Sequence, residues 1–311
     1  MKRPASVRPD RRRIAAGLKR DWQLYLLLLP CFVFMIVFRY IPMGGIVMAF
    51  QDYNIRDGIF GSEFIGLEHF IDMFQDDLFL RAFRNTLWIK LLGIVVGLPA
   101  PILLAIMINE IGLKRYRKTM QSITYFPYFL SWIVINGILL NLFNVQDGVV
   151  NKIIEWFGGQ PQTFMMEDTA FIWILIFSNL WKNLGSDTVL YLAALTSIDP
   201  GLYEAARIDG ASKLQQILHI TLPGLMNTFI LLQIMSMGRI LKAGDEQILA
   251  LYSEPVYDVA DVIGTYVYRT GIGGMRYGYA TAVGMFQSVV GLIMVLFTNK
   301  LAKKYTDNSV W

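Results

Sequence analysis

Residues 203–223 read YEAARIDGASKLQQILHITLP and lie between the fourth and fifth of six long apolar stretches. Just before them, Asp199-Pro200 is a typical helix start, because Asp can accept a bond from a free N–H and Pro is tolerated in the first turn. Gly210 interrupts this helix, since glycine adopts the left-handed conformation without steric cost. Ser212 can then start a second helix. The stretch therefore predicts a short water-soluble helix–turn–helix inserted between two membrane spans.

The composition indicates a membrane protein. Of the 311 residues, 55% are hydrophobic and 17% are charged, and the mean hydropathy is +0.45. Apolar runs of roughly 18 or more residues predict transmembrane helices, and the alternating pattern of a membrane β-barrel is absent. The sequence therefore predicts an all-α polytopic membrane protein with six transmembrane helices, at about 22–50, 85–108, 122–144, 169–195, 223–244 and 280–299.

The distribution of charge predicts the orientation. The segments on one side, which include the tail 1–21 and the helix–turn–helix, hold 17 of the 28 Lys and Arg residues. Because basic residues favour the cytoplasmic side, both termini are predicted to be cytoplasmic, in a multi-pass protein of the cell membrane. The net charge of +4 follows from this topology, and nucleic acid is not expected as a partner. The basic tail is expected to be a solvated anchor that can touch anionic membrane lipid.

The helix–turn–helix also carries a family pattern. Glu204-Ala205-Ala206 is followed after three residues by Gly210 and after nine more by Ile220-Thr221-Leu222-Pro223. This spacing resembles the cytoplasmic EAA loop of binding-protein-dependent ABC importer permeases. Further blocks, at 40–43, 181–185, 191–195, 198–200 and 257–291, extend this resemblance. Those at 40–43 and 257–291 resemble the permeases of the carbohydrate subgroup, which import polysaccharides and oligosaccharides. The resemblance extends over residues 24–306.

The resemblance implies an ABC importer type I permease-like fold and a transport function. The chain would be the permease subunit of an ATP-driven importer for an oligo- or polysaccharide and would work by alternating access. Its partners would be a second homologous permease, two ABC ATPase subunits and an extracytoplasmic solute-binding protein. The residues implied to couple the chain to the ATPases are Glu204, Ala205, Ala206, Asp209, Gly210, Ile220 and Pro223.

The chain is accordingly divided into a basic cytoplasmic tail, residues 1–21, and a single transmembrane permease domain, residues 22–311. The core of this domain is expected at about 82–300, with the cytoplasmic coupling loop at 197–223.

Polar side chains inside the apolar stretches are candidates for a carbohydrate pathway, because burying them in a membrane is costly. Amides suit pairs of sugar hydroxyls, and aromatic rings can stack on a sugar face. The alternative for each residue is a hydrogen bond between helices. The candidates are Asn136, Asn141, Asn179, Trp181, Asn183, Gln233, Arg239 and Gln287.

Two charged residues of the fourth apolar stretch stand apart from this set. Asp187 lies eighteen residues beyond Thr169, and a rise of about 1.5 Å per residue puts it close to the inner membrane surface. Lys182 lies deeper, where it is expected to be paired or to face a cavity.

Other functions fit the sequence less well. The chain has no Gly-x-x-x-x-Gly-Lys-Ser/Thr phosphate loop, so ATP and Mg²⁺ are expected on a partner subunit. Only His69 and His219 are present, without metal-ligand spacing. We therefore expect a non-catalytic subunit with no cofactor and no metal. The alternative is an ion-coupled secondary sugar transporter, which predicts discontinuous helices and intramembrane coupling groups and leaves the EAA pattern unexplained.

Overall fold

The computed structural model describes residues 20–242 and 245–305, so most of the predicted tail lies outside the described part. Its architecture is helical, with one two-stranded hairpin that the all-α prediction misses. The elements are α1 (Trp22–Met35), β1 (Gln51–Asp52), α2 (Gly58–Gly61), β2 (Glu63–Phe64), α3 (Glu68–Gln75), α4 (Asp77–Gly97), α5 (Pro99–Glu110), α6 (Lys114–Tyr125), α7 (Trp132–Leu142), α8 (Val149–Trp156), α9 (Asp168–Leu195), α10 (Pro200–Ile208), α11 (Lys213–Gln216), α12 (Leu222–Met237), α13 (Asp245–Leu251), α14 (Tyr257–Ala260), α15 (Ile263–Val267) and α16 (Tyr277–Tyr305).

Several elements run on through short turns of other helix types. The π-helical turn Ile36–Tyr40 and the 3₁₀ segment Ile41–Phe50 continue α1. The π-helical turn Ile217–Thr221 joins α11 to α12, so that Lys213–Met237 is one continuous helix.

The number of membrane spans differs from the prediction. Within the described ranges, four helices are long and apolar enough to cross a membrane, and a fifth crossing exists if one bent pair is counted. The prediction of six is therefore not confirmed. Helix α9 has 28 residues, long enough to cross, but Asn179, Lys182 and Asn183 lower its hydropathy. The spans are, in chain order, Trp22–Phe50, Asp77–Glu110, Lys213–Met237 and Tyr277–Lys304, with Lys114–Phe129 and Trp132–Leu142 as the bent pair.

The predicted span 122–144 is broken, and a lysine from α9 fills the break. The two halves meet at an angle of 98°. Lys182, which is 9% exposed, donates to the backbone carbonyls of Tyr128 (3.0 Å) and Leu130. Its ammonium also lies 5.8 and 5.5 Å from the ring centres of Tyr128 and Trp132. These contacts satisfy carbonyls that the end of a helix leaves free, and Ser131 caps the second half.

Three apolar clusters hold the spans together. The first joins α4, α15 and α16 through Phe79, Tyr266 and Val283. The second packs α9 against α13 and the turn that follows it, through residues such as Phe171 and Ile248. The third joins α5, α9 and α12 close to the helix–turn–helix. We call this end of the bundle the loop end. The end at which α4 and α9 begin is called the opposite end.

A buried ion pair orders the chain at the opposite end. Asp261 is fully buried and accepts hydrogen bonds from Arg269 (Nη2 to Oδ2, 2.6 Å) and Thr265 (2.7 Å). The hydrogen bond to Asp261 raises the pKa of the Arg269 guanidinium above its usual value. Asn85 of α4 donates to the carbonyls of Asp258 and Asp261. This hydrogen-bond network therefore connects α14 and α15 to a span.

A second polar contact lies beside it. The hydroxyl of Tyr266 bonds to Asp76 and to the hydroxyl of Tyr279, the latter at 2.9 Å. Burial, above all, raises the pKa of Tyr266, so its hydroxyl remains a proton donor to the carboxylate.

Helix α1 contributes no residue to the core. None of its 14 residues is buried, and the first buried side chain of this region is Ala49 in the 3₁₀ segment, which packs on α16.

Candidate functional site

The helix–turn–helix forms as the sequence predicts. Asp199 caps α10 by accepting from the N–H of Gly201 (2.9 Å), with Pro200 in the first turn. At the other end the N–H of Ala211 donates to Ala206 (2.8 Å) and that of Gly210 to Arg207 (3.1 Å). This pair of bonds is a Schellman motif, which requires a left-handed residue.

Gly210 supplies that conformation with φ +77°. A side chain at Gly210 would meet no atom within 4 Å, so backbone conformation and not space selects glycine here.

Side-chain bonds fix the second helix to the first. Ser212 and Gln215 form a reciprocal capping box at the start of α11. Buried Gln216 donates to the carbonyl of Ala211 (3.0 Å), and the hydroxyls of Tyr203 and Thr221 lie 3.0 Å apart. The loop is therefore one compact unit.

An ion pair joins this unit to a neighbouring span. Lys213 contacts Glu110, the last residue of α5, at 2.6 Å. Motion of the loop would consequently be transmitted to the spans through α5 as well as through α9 and α12.

The loop presents an apolar face to its surroundings. Ile208 is 87% exposed, and Leu202 and Leu214 are also exposed. Most of the predicted coupling residues are accessible as well: Glu204, Ala205, Asp209, Gly210 and Pro223 are exposed, and Ala206 and Ile220 are half-buried. Such a patch on a rigid unit is suited to docking in a groove of another protein.

A cavity of about 580 Å³ lies between α4, α5, α9 and α12. Its polar residues come mainly from α9, where they are four residues apart and therefore share one helix face, and from α12. Helix α9 contributes Asn179, Asn183 and Asp187, and α12 with the turn after it contributes Gln233 and Arg239.

On the α4 side, Lys90 shares its face with Gly93 and Gly97. An added Cβ at either glycine would meet no atom within 4 Å, so this wall of the cavity is open.

Hydrogen bonds order the α9 wall of the cavity. Asn183 donates to the carbonyl of Asn179 (3.0 Å), and Asn179 donates to the side-chain oxygen of Gln247 (3.2 Å). Gln247 is buried and donates in turn to Leu175 (2.8 Å) and to Ser178 (2.9 Å). The amides are thereby held in fixed orientations while their remaining lone pairs and N–H groups face the cavity.

The structure brings together half of the predicted pathway residues. Asn179, Asn183, Gln233 and Arg239 line the cavity. The other four do not: Asn136 donates to Ala250, Asn141 to Gly137 (2.8 Å) and Gln287 to Leu241 (2.9 Å), and Trp181 faces outward, 47% exposed.

Sequence reasoning missed Lys90 and Gln247 as cavity residues. A lysine inside the apolar stretch 85–108 was a visible signal for the first. Gln247 had no such signal, because only tertiary packing brings it to the cavity. Asp187, expected near the inner membrane surface, lines the same cavity.

Comparison with known proteins adds independent findings. Residues 97–307 match the family described as binding-protein-dependent transport system inner membrane component. The polygalacturonan/rhamnogalacturonan transport system permease protein YteP of Bacillus subtilis is 39% identical over 301 residues, which cover 97% of this chain and 94% of that protein. Protein LplB of the same organism is 39% identical over 296 residues, covering 95% and 93%.

Solved structures agree with the fold. The crystal structure of a bacterial ABC transporter involved in the import of the acidic polysaccharide alginate contains a chain that is 42% identical, with a TM-score of 0.86, and covers 94% of this chain and 99% of that one. A second crystal structure, of the alginate ABC transporter in complex with an alginate pentasaccharide-bound periplasmic protein, gives a TM-score of 0.87.

Proposed function

The chain belongs to the inner-membrane components of binding-protein-dependent transport systems, and from this membership we infer that it is the permease subunit of an ABC importer for carbohydrates. The observation that carries the inference is the loop: a capped, compact helix–turn–helix with exposed apolar side chains, joined to α5, α9 and α12. Such a unit can receive motion from a partner and pass it to the walls of the central cavity.

In this proposal the loop end is cytoplasmic. The basic cluster at the start of α6, Lys114 to Lys118, lies close in sequence to Glu110, which contacts the loop through Lys213. Basic residues at one end of a bundle favour its retention in the cytoplasm. Two ATPases would bind and hydrolyse ATP with Mg²⁺ there, so the chain itself would need no cofactor and perform no catalysis.

The remaining partners would be a second, homologous permease and an extracytoplasmic solute-binding protein at the opposite end. Support comes from the alginate importer, which was solved with a periplasmic protein carrying its oligosaccharide. The cavity would open alternately to each side, because ATP and the loaded binding protein favour different states.

The broken span invites comparison with an ion-coupled transporter, whose discontinuous helices leave carbonyls free to bind an ion. Here the carbonyls of Tyr128 and Leu130 are occupied by Lys182. The Lys182 ammonium already occupies the place that a coupling cation would need. This favours a structural role for the break over a role in ion coupling.

The proposal is tested at Ile208. Because its side chain is 87% exposed, Ile208→Ser should leave the fold intact and remove a central apolar contact with the ATPase. We expect at least a tenfold loss of copurified ATPase, since such anchors contribute about 2 kcal/mol or more, together with loss of ATP-driven uptake. Phe60→Ser is the matched control, because Phe60 is also a fully exposed apolar side chain and lies outside the loop.

Two results would contradict the proposal. One is equal ATPase binding by the Ile208 and Phe60 variants. The other is sugar uptake that continues on a proton gradient when the ATPase is inactivated by substitution.

A further inference from the structure

The central cavity carries unbalanced positive charge. Among the described residues that line it, Lys90, Arg239 and Lys242 are basic and only Asp187 is acidic. Lys90 interacts electrostatically with both Arg239 and Asp187. Two like charges close together in a poorly solvated site repel each other, and one carboxylate offsets only part of that repulsion.

The cations of the cavity differ from the other enclosed cations of this chain. Lys182 is satisfied by two carbonyls and two aromatic rings, and Arg269 by the carboxylate of Asp261. In the part of the chain that the structure describes, Lys90 and Arg239 form neither an ion pair nor a side-chain hydrogen bond. The two structural cations therefore have bonded partners within the chain, whereas Lys90 and Arg239 have no partner in bonding distance among the described residues.

The neighbouring groups define what the missing partner is. Asn179, Asn183 and Gln233 offer neutral amides that suit sugar hydroxyls. A carboxylate between Lys90 and Arg239 would satisfy both cations through charge-assisted hydrogen bonds. Asp187 disfavours a dianion such as a phosphate monoester more than it disfavours a single carboxylate. The ligand chemistry that fits is a polyhydroxylated sugar chain that carries a carboxylate.

We propose that this cavity takes uronate oligosaccharides, and that Lys90 and Arg239 hold the sugar carboxylate during its passage. The inference rests on the proposed import function and narrows its substrate class. Asp187 has the opposing role: its negative charge limits how strongly the carboxylate is held, so that the sugar is released. Weak, reversible binding is what a translocation path requires.

The experiment uses the complete importer in proteoliposomes, this chain together with its partner permease, ATPases and binding protein. The probes are trigalacturonate, an alginate trisaccharide, the methyl esters of both, and neutral arabinotriose. Each methyl ester retains the sugar rings and removes the charge. We expect ATP-dependent uptake of at least one of the two free acids, at least tenfold faster than that of its ester.

Variants assign the effect to this chain. Arg239→Gln and Lys90→Met should each raise the half-saturating concentration of the acid about tenfold, since a hydrogen bond to a charged group contributes about 1.5–3 kcal/mol. Lys90→Arg keeps the positive charge and should therefore have the half-saturating concentration of the unsubstituted importer. Asp187→Asn should lower it, a change of opposite sign that a merely structural role would not produce. Lys152→Met is the control for loss of an exposed lysine, and copurified ATPase reports assembly.

The inference is overturned if the importer carries arabinotriose or the esters in preference to the acids. It is equally overturned if two assembled variants behave as follows. Arg239→Gln complexes take up the acids with unchanged kinetics, and Lys90→Arg complexes take them up with impaired kinetics. In the first case ATP-driven uptake of neutral sugar leaves the proposed function standing. Uptake of no saccharide by an assembled complex that hydrolyses ATP would overturn both.

Discussion

At Gly210 a single backbone angle, φ +77°, decides where α10 ends and how α11 is aimed. An L-residue pays roughly 1–2 kcal/mol to adopt this left-handed conformation, and Asn and Asp pay less than others. The sequence indicates this position plainly, because a glycine between two apolar helical patterns is typical of a helix C-terminus. Asp199, Ser212 and Gly210 are all predicted with the roles that the structure gives them.

Substitutions at Gly210 separate conformation from charge. Gly210→Asn should retain ATPase binding, because Asn tolerates the left-handed region. Gly210→Val should reduce it several-fold, because the Schellman bonds would have to break. Gly210→Asp matches Asn in shape but adds a carboxylate to the exposed apolar face near Ile208, so we expect loss of coupling. Copurified ATPase and ATP-driven uptake measure all three, and equal behaviour of the Asn and Val variants would refute the conformational role.

At the scale of elements, the broken span is the feature that the sequence did not reveal. The stretch 122–144 is apolar enough to predict one straight helix, although Pro127 and Ser131 are local signals of a helix end and a new start. What opens the break to 98° is tertiary: Lys182 bonds to its carbonyls, and Gly185 allows the backbone at Thr124 to approach α9 closely. A contact between segments more than fifty residues apart cannot be read from local periodicity.

Lys182→Met tests the structural role of this lysine. The variant keeps the length of the side chain but leaves the carbonyls of Tyr128 and Leu130 without their donor. We expect a loss of about 1–3 kcal/mol in the free energy of unfolding, measured as a lower Tm of the purified protein in detergent. Lys152→Met should change the Tm little, because its exposed ion pair with Asp147 spans 3.5 Å and contributes at most about 1 kcal/mol. Equal Tm values for the two variants would be inconsistent with a structural role for Lys182.

For the whole molecule, the number of membrane crossings is where sequence and structure differ. Hydropathy identifies four helices among the described residues that could cross, and a fifth crossing if the bent pair is counted; α9 coincides with the remaining predicted span, so six crossings are not confirmed. Helix α9 contains the lysine that bonds across the break and three residues that line the cavity, namely Lys182, Asn179, Asn183 and Asp187. The polar groups that the proposed function needs are thus the same ones that weaken the hydropathy signal.

Cysteine labelling distinguishes four spans from six. Cys31 is the only cysteine, so Cys31→Ser provides a cysteine-free chain in which Phe60, Phe157 or Ile208 is replaced by Cys, all three being exposed. An impermeant maleimide added to intact spheroplasts should label positions 60 and 157 but reach position 208 only after permeabilisation. Protection of position 157 together with 208 would mean that neither the bent pair nor α9 crosses.

The isolation of α1 bears on how this protein unfolds. Because none of the residues Trp22–Met35 is buried, removing this helix from its place would leave the three apolar clusters unchanged. Unfolding of the clusters and detachment of α1 are then separate events rather than one cooperative transition. A Tm measured on the whole chain would report the bundle that follows residue 49, and a melting curve of the protein lacking α1 should superimpose on it.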